Sequence, residues 1–96
     1  METQFYIELT LKTHKGVESF AKFFMGDNRE KAYTIFTKLT GTDIVNEKNL
    51  LHIDFIETIE GLPVNLKMIT CTLDQLADNC KLITKELFKL KNLEVS

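Results

Sequence analysis

Apolar and polar residues alternate along four segments of the chain, which is the pattern of half-buried β-strands. The first segment spans residues 5–12, and a polar turn that ends at Gly16 follows it. The third segment spans residues 51–59, and Glu60-Gly61 is a turn sequence that leads into the fourth. The fourth segment has its apolar positions at Val64, Leu66 and Met68. The period-two pattern therefore predicts two hairpins, one in each half of the chain.

The second segment, residues 17–25, fits two patterns. Its apolar residues match helical spacing at Val17, Phe20, Ala21 and Phe24, whereas Phe20, Lys22 and Phe24 match one face of a strand. We interpret the segment as a strand because it is rich in aromatic residues and follows a short turn. The alternative is a helix, which would give the order βααββα of a truncated ferredoxin-like fold.

Two segments have apolar stripes at helical spacing. The first is predicted to begin at a capping box of Asp27 and Glu30 and to end at Gly41, with its stripe at Ala32, Ile35, Phe36 and Leu39. The second is predicted to run from Leu73 to Leu93 after a capping box of Thr72 and Gln75. Its stripe consists of Leu76, Cys80, Ile83, Leu87 and Leu90.

These elements predict an α+β fold of order ββαββα. A four-stranded antiparallel sheet would have both helices on one face, which makes a two-layer sandwich. The chain has 96 residues, of which 44% are hydrophobic and 27% charged. This is the composition of a globular protein and the length of one domain, so we expect residues 1–96 to form a single domain.

The charge balance and the motifs of the sequence indicate which classes of partner to expect. Twelve Lys and Arg against fourteen Asp and Glu give a net charge of −2, and the lysines near the end of the last helix match its dipole. We therefore do not expect a nucleic-acid partner. The longest apolar run is 23–25, the first residues do not resemble a secretion signal, and two cysteines are too few for a disulfide framework. The sequence predicts a cytoplasmic protein with no membrane partner, and no motif in it indicates a cofactor.

The sheet face away from the helices is predicted to be partly apolar, whereas such faces are normally polar. On a strict period of two it contains Tyr6, Glu8, Thr10, Lys12, Glu18, Phe20, Lys22, Phe24, His52, Asp54, Ile56, Thr58, Asn65, Lys67, Ile69 and Cys71. Two further apolar residues lie off the core stripe of the last helix, Leu82 and Phe88. A contiguous patch of this kind marks an interaction surface. We therefore predict a non-enzymatic module that binds protein or forms a homodimer through Tyr6, Phe20, Phe24, Ile56, Ile69, Leu82 and Phe88.

The same face contains the residues of an alternative function. His52 and Asp54 are two apart on one strand, so their side chains point the same way, and Glu8 joins them if the first and third strands are neighbours. Neighbouring imidazole and carboxylate groups, here roughly 6–7 Å apart, can bind a metal or a small molecule or act as an acid–base pair. A solvated pair of surface side chains is the simpler explanation of His52 and Asp54.

The glycines and several core positions follow a pattern that resembles small, single-domain bacterial proteins of no assigned function. The matching positions are Leu9-Thr10-Leu11-Lys12-Thr13, Gly16, Gly26, Arg29, Ala32, Leu39, Gly41, Gly61-Leu62-Pro63-Val64 and Cys71-Thr72-Leu73. The resemblance covers nearly the whole chain but lies in turns and core. It implies a small bacterial protein and supplies no catalytic residue or ligand.

Overall fold

The computed structural model describes residues 2–43 and 51–90. The predicted order ββαββα is confirmed. The elements are β1 (Thr3–Thr13), β2 (Gly16–Gly26), α1 (Arg29–Thr37), β3 (Leu51–Ile59), β4 (Leu62–Cys71) and α2 (Leu73–Leu90). Residues 17–25 belong to a strand, so the helical alternative is wrong. The predicted extension of the last helix to Leu93 lies outside the described residues.

The four strands form one antiparallel sheet in the order β2-β1-β3-β4. Each hairpin closes through two residues, His14-Lys15 in the first and Glu60-Gly61 in the second. The second turn has a positive φ at both positions, 52° at Glu60 and 85° at Gly61, which matches the twist of a two-residue hairpin. The first strands of the two hairpins pair with each other, so β2 and β4 form the edges of the sheet.

The helices pack on one face of the sheet, called here the inner face. The core centres on Phe55, whose ring lies 5.9 Å from that of Phe5, 5.3 Å from that of Phe36 and 5.7 Å from that of Tyr33. Helix α1 contributes Ala32 and Ile35 besides Phe36, and α2 contributes Leu76 and Ile83. Neither described helix is long and apolar enough to cross a membrane.

Three β-bulges interrupt the period of two. Strand β2 has one extra residue at Phe20, between the pairs Leu9–Ala21 and Thr10–Ser19, and another at Met25. Strand β4 has one at Leu66, between the pairs Phe55–Lys67 and Ile56–Asn65. An extra residue moves the side chains on one side of it to the opposite face relative to strict alternation.

Because of the bulges, part of the predicted outer face is wrong. Glu18 lies opposite Leu11, and Lys67, Ile69 and Cys71 lie opposite inner-face residues of β3. These four residues are therefore on the inner face. Met68, predicted to be inner, lies opposite Asp54 on the outer face.

The helix ends agree only in part with the prediction. The Thr72–Gln75 capping box is confirmed, because each backbone N–H donates to the other side chain, at 2.9 and 3.2 Å. Helix α1 is capped by Asn28, not by Asp27: the Asn28 Oδ1 accepts from the N–H of Lys31 at 3.0 Å. The cap lies one residue later than predicted, because the helix begins at Arg29.

Gly41 does not end helix α1, which stops at Thr37. Its role is a close approach to β4. The neighbouring Thr42 exchanges backbone hydrogen bonds with Thr70, at 2.9 and 2.7 Å. A Cβ on Gly41 would lie 2.6 Å from the Thr70 carbonyl oxygen, so a side chain at position 41 would push this segment off the sheet edge.

Asn79 fixes the same segment from the helix side. Its side chain is 2% exposed and makes two hydrogen bonds of 2.8 Å with the backbone of Thr40, accepting from the N–H and donating to the carbonyl. The apolar periodicity of the helix does not identify Asn79, because this residue is polar and lies within an otherwise apolar helix face. Buried amides are retained when both of their hydrogen-bonding groups are satisfied.

Replacing Asn79 by Ala is expected to lower the free energy of unfolding by about 1–3 kcal/mol, since it removes two hydrogen bonds to the Thr40 backbone and the packing of a buried side chain. Urea denaturation followed by circular dichroism measures the change. The control, Asp78→Ala on the exposed side of the same turn, is expected to change stability by less than about 0.5 kcal/mol. Equal effects of the two substitutions would contradict the structural role of Asn79.

Candidate functional site

The outer face of the sheet consists of rows of side chains that cross the strands, and three of these rows contain the candidate residues. The registers define them as Phe24–Tyr6–Ile56, Lys22–Glu8–Asp54 and Ser19–Thr10–His52 across β2, β1 and β3. The first row is apolar and the second is charged. Because β1 and β3 are neighbours, the predicted condition for grouping Glu8 with His52 and Asp54 is met.

Glu8 is tied to the edge strand. Its Oε2 accepts a hydrogen bond of 2.8 Å from the Ser19 hydroxyl, and Lys22 lies directly opposite on β2. The Lys22 ammonium lies 4.4 Å from the centre of the Tyr6 ring, which is a cation–π distance. The charge of Glu8 is therefore engaged by groups of β2 and not directed toward an open cavity.

Asp54 is the least satisfied side chain of the cluster. Its Oδ1 is buried and, within the described residues, accepts no hydrogen bond. Burial raises the pKa of the Asp54 carboxyl, the hydrogen bond with Asn65 and the charge of His52 lower it, and the charge of Glu8 raises it, with a net upward shift. An ionised Asp54 is thus held in the fold at a cost in stability.

The metal-binding alternative gains no support from the geometry. In the ranges 2–43 and 51–90, no group of three His, Cys, Asp or Glu side chains is arranged to hold a metal ion. Surface cavities among the described residues lie elsewhere, beside the start of α1, beside Phe24 and along the exposed side of α2. A ligand at His52, Asp54 and Glu8 stays a prediction.

Three residues of the predicted apolar surface are less exposed than expected. Ile69 is 9% exposed and belongs to the core, because the bulge at Leu66 places it on the inner face. Leu82 packs partly buried against the core. Ile56 does lie on the outer face but is 8% exposed, since Tyr6 and Asn65 lie on either side of it.

Strand β2 has three exposed apolar side chains, and the other edge strand, β4, has two, Leu62 and Val64. Val17 is 63% exposed, Phe20 50% and Phe24 41%. The ring of Phe24 lies 5.4 Å from that of the half-buried Tyr6, which links the edge strand to the middle of the face. The prediction identified Phe20 and Phe24 but omitted Val17. Val17 faces outward, opposite Lys12, because of the bulge at Phe20.

Helix α2 leaves a second, smaller apolar surface. Phe88 is 51% exposed and lines a shallow cavity with Cys80, Lys81, Thr84 and Lys85. Both cysteines are free, and burial raises the pKa of each thiol, with the neighbouring Cys80 as a further cause at Cys71. Raised thiol pKa values disfavour the reactive thiolate, so these cysteines are typical of packing residues.

Comparison with protein-family models, with curated proteins and with solved structures gives no match. The resemblance to small bacterial proteins therefore stays a prediction. Function has to be inferred from the chain's own surface.

Replacing Asp54 by Asn is expected to stabilise the protein at pH 7. Because the pKa of Asp54 is raised in the folded state, the folded protein binds this proton more tightly than the unfolded chain, whose carboxyl has a pKa of 3.8. This contribution favours folding below pH 3.8 and is lost as the pH rises through the folded-state pKa.

The expected gain at pH 7 is about 0.5–1 kcal/mol, because solvent screens a half-buried carboxylate. Thermal unfolding from pH 3 to pH 8 measures it, and Glu57→Gln on the inner face of the same strand is the control. A destabilised Asp54→Asn protein, or one whose pH dependence equals that of the wild type, would show that the buried oxygen costs nothing.

Proposed function

We propose that this chain is a non-enzymatic interaction module that associates with a second copy of itself through the outer edge of strand β2. The observation that carries the proposal is the combination of an eleven-residue edge strand with three exposed apolar side chains on it, Val17, Phe20 and Phe24. Within the described residues, no element pairs with that edge of β2.

An edge strand has backbone N–H and C=O groups that point away from the sheet and are available for pairing with another strand. The two edges of this sheet differ in this respect. Strand β4 contains Pro63, which has no N–H to donate, and pairs at Thr70 with Thr42. Strand β2 contains no proline and, among the described residues, pairs only with β1. The difference supports β2 as the associating edge.

Apolar side chains add the driving force that backbone pairing alone lacks. The exposed rings of Phe20 and Phe24 lose contact with water when another strand lies beside β2. Lys22 lies between them, and its stem can cover apolar surface while the ammonium stays near the Tyr6 ring. Two-fold homodimers are the commonest soluble oligomers, which supports a second copy as the partner.

The proposal places the module in the cytoplasm. The support is the pair of free cysteines, one of them buried in the core, which a reducing compartment keeps unpaired. The metal-binding alternative at His52, Asp54 and Glu8 is not proposed, because no three such side chains among the described residues are arranged to hold a metal ion.

Association through β2 predicts that the molar mass of the protein rises with concentration, from one chain toward two. Light scattering coupled to gel filtration, across a dilution series, measures it. Phe20→Glu and Phe24→Glu are each expected to weaken the dimer at least about tenfold, because a buried unpaired carboxylate opposes association.

The matched control is Phe88→Glu, which introduces the same charge at an equally exposed phenylalanine on α2, 51% exposed against 50% for Phe20. It is expected to leave the dimer unchanged. A wild-type mass of one chain at every concentration, or a dimer that only Phe88→Glu dissociates, would overturn the proposal.

A further inference from the structure

The β-bulge at Phe20 gives strand β2 an internal symmetry. The residues that face outward on one side of the bulge are Val17 and Ser19, opposite Lys12 and Thr10. On the other side they are Lys22 and Phe24. The outer-face positions are therefore 17, 19, 22 and 24, which read the same in both directions about the midpoint between residues 20 and 21.

This symmetry restricts which strand can pair with β2. A partner strand of strict alternation matches the faces of β2 on both sides of the bulge only by leaving one residue of β2 unpaired, as β1 does at Phe20. A second copy of β2, running antiparallel about the midpoint, has its own bulge at the same place. The two sheets then continue each other with matching faces on both sides of the bulge.

We propose, on the basis of the function inferred above, that two copies pair antiparallel across a two-fold axis between Phe20 and Ala21, so that each residue number and that of its partner add up to 41. Val17 then lies opposite Phe24, and Ser19 opposite Lys22. The two sheets form one continuous eight-stranded sheet. The bulge favours a second copy, because two matching bulges leave no residue of either strand skipped between positions 16 and 25.

The side chains that this register brings together are complementary. Val17 and Phe24 are both apolar and exposed, at 63% and 41%. The Lys22 ammonium of one copy lies opposite Ser19 of the other, whose hydroxyl donates to the carboxylate of Glu8 at 2.8 Å. Because this hydroxyl gives its proton to Glu8, its oxygen can accept a hydrogen bond from the Lys22 ammonium of the other copy.

A second register pairs the whole strand, so that the numbers of two opposite residues add up to 42, and it pairs one residue more. It brings Val17, which faces outward, opposite Met25, which is buried and faces inward. In a third register the numbers of opposite residues add up to 40, so Lys22 lies opposite Glu18. These two side chains are on different faces of the sheet. Both registers conflict with the alternation of side chains that the bulge imposes.

Disulfide trapping distinguishes these registers. In a Cys80→Ser background, the variants Ser19→Cys, Lys22→Cys and Glu18→Cys are prepared separately, and pairs of variants are mixed and mildly oxidised. Cys71 is 5% exposed and stays in place. Folding and mass of each variant are checked by circular dichroism and light scattering before oxidation.

The proposed register predicts covalent dimer from the mixture of Ser19→Cys and Lys22→Cys, at roughly ten times the yield of either variant alone. In that register, identical positions are offset by three residues, about 10 Å along the strand, which exceeds the reach of a disulfide of about 7 Å between Cα atoms.

Trapping from Glu18→Cys with Lys22→Cys, or from either Ser19→Cys or Lys22→Cys alone, would overturn the register while association through β2 stands. A dimer by mass that none of these variants traps would also overturn it. A wild type that stays a single chain at every concentration would overturn both the register and the proposed function.

Discussion

Successive side chains of a β-strand point to opposite faces, and the architecture of this protein depends on where that alternation is interrupted. Each hairpin contains at least one extra residue, Phe20 in the first and Leu66 in the second. The bulge in β4 moves Ile69 and Cys71 into the core beneath the helices. The bulge in β2 moves Val17 outward, next to the exposed edge. The extra residues Phe20 and Leu66 thus decide which side chains of β2 and β4 lie in the core and which lie on the surface.

The element order, both hairpins and both helix faces were predictable from the sequence, because periodicity and turn residues are local properties. The faces of β2 and β4 beyond the bulges were not, since an extra residue reveals itself only in the pairing with the neighbouring strand. The same holds for Asn79, whose partner Thr40 is 39 residues away in the chain. Among the candidate site residues, the pairing of Glu8 with Asp54 required the strand order, which periodicity does not contain.

The two edges of the sheet show how local chemistry decides what a surface can do. Both edges have exposed apolar side chains, but Pro63 and the Thr42 bridge occupy backbone positions along β4, whereas β2 contains no proline and, among the described residues, pairs only with β1. Across the outer face, Asp54 retains a buried oxygen at a cost in stability, and the charge of Glu8 is directed toward β2 through Ser19. The polar row therefore contacts the edge strand, and the proposed association is the function that this surface supports best.

The central claim is that the bulge at Phe20 sets the faces of β2 and so the way two copies meet. Isotope-filtered NMR on a mixture of labelled and unlabelled protein tests it directly, because nuclear Overhauser effects between copies arise only across the interface. The account predicts such effects between the methyl groups of Val17 in one copy and the ring of Phe24 in the other. Effects between copies that connect Val17 with Met25, or that arise only from helix α2, would contradict it.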